Sequence, residues 1–312
     1  MKHRIIVGTM AATLACGVLA ACASLGGTPN ASVPAGSKET AAAKRPHWTQ
    51  TSIGTFTDPY GVAVSPFCKA SCDVYVADAG AKAVWKIAPD GSRTKIGDFI
   101  DSPKFDPQGV AVAKDGSVYV ADKAPGATSR IWRVAPNGTT TAVSIRNLAF
   151  DHYFRGVALA YPQTHPYPYM HTWVVGVETS YVPATHNGTK VCTCTNIIAV
   201  FGNPYGVAGD AFGDAFIADA GSKNVYKMSA LAGEDGLVAL RKFVDPYGVA
   251  ASLDGRDVYV ADAGDKRVWQ RDPDGSWRVV GVFADPYGVA VDGAGVLYVA
   301  DPGSKNVWKL TP

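Results

Sequence analysis

The chain has 312 residues, 47% of them hydrophobic and only 18% charged. It can therefore bury a sizeable core and lies outside the polar, highly charged class that stays disordered. A formal net charge of +2 lacks the basic excess of a nucleic-acid binder, and 33 glycines with 14 tyrosines and 7 tryptophans suit many short strands joined by tight turns.

Lys2 and Arg4 give a basic start, and an apolar run from Ile5 to Ala21 follows. That run is short for a membrane span and has the flanks of a secretory signal. Leu19-Ala20-Ala21-Cys22 resembles the bacterial lipobox, in which small residues fit the peptidase and the cysteine thiol takes the lipid. The resemblance implies removal of residues 1–21 and lipidation of Cys22. The protein would then be extracytoplasmic, anchored by lipid to a bacterial membrane on its periplasmic or cell-surface side. Ordinary secretion, with Cys22 incidental, is the alternative. Losing Lys2 and Arg4 brings the net charge from +2 to zero. Residues 22–46, rich in Ala, Ser, Thr, Gly and Pro, read as a flexible tether.

From residue 47 to 312 one motif recurs six times. It reads DPYGVAV from Asp58 and Asp285, DPYGVAA from Asp245, NPYGVAG from Asn203, DPQGVAV from Asp106, and in degenerate form YFRGVAL from Tyr153. The motif glycines are Gly61, Gly109, Gly156, Gly206, Gly248 and Gly288, spaced by 48, 47, 50, 42 and 40 residues. Each is followed by a second strand ending in an acid: Asp78, Asp122, Glu178, Asp219, Asp262 and Asp301. Third strands follow (VWKI, IWRV, a weak SYVPA, VYKM, VWQR, VWKL), and turns such as PDG, PNG and His186-Asn-Gly lead to fourth strands. Four short strands per 40 to 50 residues predict an all-β propeller of six four-stranded blades. The sixth repeat stops after its third strand, so Gln50 to Phe56 is expected to complete that blade and close the ring.

The P-x-G-V-A-V pattern followed by YVAD resembles the NHL repeat over the whole of residues 47–312. This resemblance implies kinship with sensor propellers of bacterial receptor serine/threonine kinases, streptogramin lyases and gluconolactonases. It specifies a fold rather than a function.

Propeller topology places the residue before each motif glycine at one mouth of the central channel, here called the upper mouth. These residues are Tyr60, Gln108, Arg155, Tyr205, Tyr247 and Tyr287. Four phenols with an amide and a guanidinium suit a flat polar ligand, uncharged or weakly anionic. Packing of the same rings as an axial cap is the competing reading. The acids ending the second strands read as acceptors for loop amides rather than as a metal ring, and the neighbouring Lys82, Lys223, Lys266 and Lys305 as their solvated partners. A long loop, Tyr161 to Thr172, carries His165, Met170 and His171 and reads as a partner contact or a self-packed loop. Cys68 and Cys72 are spaced for a local disulfide. Cys192 and Cys194 would be strained if bridged, so free thiols, a bridge and a metal site all stay open for them.

The expected function is recognition of an envelope protein, glycan or small molecule by a monomer without cofactor, metal or nucleic acid. The alternative is a lyase- or lactonase-type enzyme, for which His152 and Arg155 are the weak catalytic candidates.

Overall fold

Strands reading VYVAD cannot leave either face in water. Val74–Asp78, Val118–Asp122, Ala215–Asp219, Val258–Asp262 and Leu297–Asp301 are buried at every residue. Side chains alternate along a strand, so each strand serves two cores. Tyr75 packs with Val110 and Trp132 of the second repeat, whereas Val74 and Val76 pack with Ala290 and Tyr298 of the sixth. The apolar cores accordingly lie between adjacent sheets.

The protein was described from a computed structural model covering residues 47–99, 102, 104–124, 130–143, 153–160, 171–177, 184–186, 201–229 and 236–312, all within the compact unit Pro46–Pro312. It is an all-β propeller. Five repeats form antiparallel four-stranded blades, as in Pro59–Val64, Val74–Asp78, Ala83–Ile87 and Arg93–Ile96 of the first. The expectation of six such blades is corrected to five. The third repeat has only a three-stranded sheet among the described residues: Tyr153–Ala160, His171–Val177 and Ala184–His186. Its third strand is Ala184–His186 rather than Ser180 to Ala184, so His186 is a strand residue and not part of a turn.

The inner strands neighbour one another in chain order, the last beside the first. Thr49–Thr55 pairs antiparallel with Asn306–Thr311 and completes the blade of the sixth repeat. Phe56 N donates to Lys305 O at 2.7 Å where this strand leaves the sheet. On the opposite face a disulfide joins Cys68 to Cys72, with 5.8 Å between their Cα atoms. Its loop leans on the sixth repeat, where Gly293 N donates to Cys68 O at 2.8 Å. Both contacts lie where the two ends of the chain meet.

Candidate functional site at the upper channel mouth

The upper mouth begins with a break in strand pairing. In the first, second, fourth and fifth repeats the register skips between the motif proline and glycine, as between Pro59 and Gly61, and in the third between Phe154 and Gly156. The skipped residue is the pre-glycine one: Tyr60, Gln108, Tyr205, Tyr247 and Arg155. Such bulges release a residue from the ladder and re-aim its side chain. In the sixth repeat the ladder starts at Gly288, and Tyr287 N donates to Ala300 O at 2.9 Å.

The glycine is demanded by the neighbouring sheet. A Cβ on Gly61 would collide with Gln108 O, one on Gly206 with Tyr247 O, one on Gly248 with Tyr287 O, and one on Gly288 with Tyr60 O. None of these glycines has positive φ. Close approach of backbones around the axis, rather than turn conformation, selects glycine here.

All six pre-glycine residues line one cavity of about 90 Å³. Its floor is a ring of Val62, Val110, Val157, Val207, Val249 and Val289, which also roofs a lower chamber lined mainly by valine and alanine. The tyrosines do more than line the cavity. Tyr205 and Tyr247 have ring centroids 4.1 Å apart, Tyr247 and Tyr287 4.2 Å, and Tyr287 and Tyr60 meet edge to face at 5.0 Å. The Arg155 guanidinium ends this arc, 3.8 Å over the Tyr205 ring. Arg155 Nη1 donates to Asn203 Oδ1 at 3.4 Å, whereas its Nε is buried without a hydrogen-bond partner. At the other end Gln108 Nε2 donates to Asp106 Oδ1 at 2.8 Å. The arc therefore both caps the axis and encloses a cavity.

Burial, followed by the nearby Asp58 charge, pushes Tyr60 up to about 12. Burial comes first for Tyr247 and Tyr287 as well, and both are raised. These phenols stay protonated near neutrality.

Two tiers of acid surround the mouth. The strand-end acids are buried clamps. Asp78 accepts from Thr57 N at 3.0 Å and Asp58 N at 2.8 Å, and Asp262 from Val244 N at 2.9 Å and Asp245 N at 2.7 Å. Asp219 and Asp301 hold the same two amides of their own repeats, and Asp122 accepts from Asp106 N, Ser102 Oγ and Trp132 Nε1. Each of the five described acids thus fixes the connection entering its own repeat, chiefly through amides 16 to 21 residues upstream. The motif acids Asp58, Asp106, Asp245 and Asp285 form the outer rim. Burial first, then neighbouring carboxylates, raises the pKa of Asp58, Asp245 and Asp285. The positive charges of Lys305, Lys223 and Lys266 partly offset that rise at Asp58, Asp245 and Asp285 respectively. Their backbones are left-handed, with φ of 49° to 62° at Lys82, Lys223, Lys266 and Lys305. All four lysine side chains are exposed, and none enters an ion pair among the described residues.

Cys22, His152, Glu178, His165, Met170, Cys192 and Cys194 lie outside the described residues. Among the described residues no group of three or more His, Cys, Asp or Glu is placed to hold a metal ion.

No protein-family model and no curated protein matches the chain. Solved structures do. A gluconolactonase from Xanthomonas campestris superposes with a TM-score of 0.62 at 14% identity, covering 84% of this chain and 88% of its own. Virginiamycin B lyase from Staphylococcus aureus gives 0.57 at 14%, covering 85% and 99%. An auxiliary nutrient binding protein from Bacteroides ovatus gives 0.58 at 15%, covering 83% and 70%. The chain shares the β-propeller fold with lyase, lactonase and nutrient-binding proteins, and at such identities the likeness is one of fold alone.

Proposed function

We propose that the protein is a lipid-anchored, extracytoplasmic binding propeller of the NHL type. It recognises an envelope ligand or protein partner through the upper mouth. One observation carries this reading: the tyrosine ring is broken by Arg155, a cavity-lining residue whose guanidinium ends the arc over Tyr205. Turn chemistry does not require a long cation at this position, and a guanidinium lining a cavity is a donor group that a ligand acceptor can meet. Catalysis is less well supported. The described cavity lining offers phenols, one amide and one guanidinium, and a phenol raised to about 12 is far from the neutral pKa of a working acid or base.

Screening envelope glycans and peptides by thermal shift tests the reading. Arg155→Ala and Tyr247→Phe should each weaken the ligand found by roughly 1–2 kcal/mol, about tenfold or more. Both should melt within about 3 °C of the native protein, since Tyr247→Phe keeps the ring stack. Absence of any ligand, with both variants losing many degrees, would make the ring purely structural. The anchor has its own test: Cys22→Ser should move the protein from the membrane to the soluble fraction.

A further inference from the structure

Three connections from an outer strand to the next motif proline are short: residues 56–58, 243–245 and 283–285. In each, a phenylalanine amide donates to the carbonyl of a left-handed lysine: Phe56 to Lys305 at 2.7 Å, Phe243 to Lys223 at 2.7 Å and Phe283 to Lys266 at 2.9 Å. The connection from the first repeat into the second is longer, running from Ile96 to Pro107. Asp98 N donates to Thr140 Oγ1 of the second repeat at 2.8 Å, and Phe105 N to Ser102 O at 2.9 Å. Lys82 holds the same left-handed place as the other lysines, yet its carbonyl accepts no backbone hydrogen bond among the described residues. Ser102 Oγ gives Asp122, at 2.7 Å, the second donor that an amide gives elsewhere. Beside this detour lies a cavity of about 260 Å³, lined by Lys82, Lys95, Asp98, Phe99, Ser102 and Phe105. Phe99 and Phe105 are buried and stacked, with ring centroids 3.9 Å apart. Lys82, Lys95 and Asp98 are exposed and enter no ion pair among the described residues. None of these residues lines the upper mouth.

We propose that this cavity is a second binding site, separate from the upper mouth, and that it takes one pyranose ring of a glycan. Its lining asks for both partners of a hydrogen bond. The Lys82 carbonyl and the Asp98 carboxylate only accept, and the ammonium groups of Lys82 and Lys95 only donate. A hydroxyl does both, so a ring with several neighbouring hydroxyls satisfies groups that a plain anion or a plain amine would leave half unpaired. The C–H face of such a ring packs on an aromatic wall, where the negative π face meets weakly positive hydrogens. Size agrees: at roughly 30 Å³ per water, a cavity of about 260 Å³ has room for about nine waters, close to the bulk of one hexose. An apolar wall with a few polar groups is the usual make-up of a ligand site. The cavity also arises where one connection departs from the repeat, and binding residues concentrate on such loops held by a rigid scaffold.

The full chain is titrated with glucose, galactose, mannose and N-acetylglucosamine, and with benzoate, which has a flat apolar face and a charge but no hydroxyl. Calorimetry should give at least one sugar a Kd on the order of a few millimolar, as expected for so small a ligand, with benzoate at least tenfold weaker. Asp98→Ala and Lys95→Ala should each weaken that sugar about fivefold, the loss of one hydrogen bond. Both are surface substitutions and should melt within about 2 °C of the native protein. Tyr247→Phe, at the upper mouth, should leave the affinity unchanged. Failure of all four sugars to bind overturns the proposal, as does benzoate binding as tightly as the best of them. It is also overturned by a sugar that binds Asp98→Ala and Lys95→Ala as tightly as the native chain. If that sugar binds more weakly to Tyr247→Phe, its site is the upper mouth, and the function proposed for the mouth stands without the second site.

Discussion

At the residue scale the motif glycine carries the most demanding role in the repeat. Gly138 also resists substitution, but its constraint is conformational: φ is +88° and nothing lies within 4 Å of a Cβ. Gly248 has ordinary φ and a neighbouring carbonyl in the way. Flexing one turn costs about 1 kcal/mol, whereas parting two packed inner strands costs about 2–3 kcal/mol. Gly248→Ala should therefore lower the unfolding free energy in denaturant titration by at least twice as much as Gly138→Ala. Equal losses would mean that the inner strands separate without penalty. The tyrosines beside these glycines are both wall and stack, so truncation removes packing along with a binding surface. That is why Tyr247→Phe is the informative variant and Tyr247→Ala is not.

At the element scale the strand-end acid ties two strands and a connection together. Asp262 is 1% exposed and accepts the amides of Val244 and Asp245, whose segment turns the chain from the fourth repeat into the fifth. Removing the carboxylate leaves two buried donors without acceptors, at about 1–3 kcal/mol each. Asp262→Ala should cost about 2–4 kcal/mol in urea unfolding, and Asp262→Asn, which keeps one acceptor oxygen, about half of that. A loss below about 0.5 kcal/mol for the alanine variant would show that the connection is held elsewhere. The acids were legible as structural groups from their repetition in every unit. The expected local partners are present, Ala81 N on Asp78, Ala124 N on Asp122 and Gly221 N on Asp219; the additional upstream partners were not legible, because a local turn and a long-range clamp use the same residue.

At the scale of the whole molecule the ring depends on a strand from the opposite end of the chain. Deleting residues 48–56 removes the partner of Asn306–Thr311 and the Phe56 side chain from the core between the first and sixth repeats. An open sheet edge and a thinned seam favour association with other chains. The deletion variant should melt well below the native protein and form oligomers in light scattering. A monomer of unchanged melting temperature would show that the ring closes without this strand.

The sequence by itself determined the propeller, its repeats and the closing strand, because these follow from local periodicity: two-residue alternation within strands and a recurring motif between them. It also named the six residues at the mouth, since a residue's place in the repeat fixes its place around the axis. Completeness of the third unit was beyond it. A degenerate repeat such as YFRGVAL still specifies an inner strand, but pairing of outer strands depends on packing that no motif records. The stacking of Tyr205, Tyr247 and Tyr287 and the seating of Arg155 on Tyr205 were likewise decided only by the tertiary structure. They arise between residues 40 or more positions apart, brought together by the curvature of the ring.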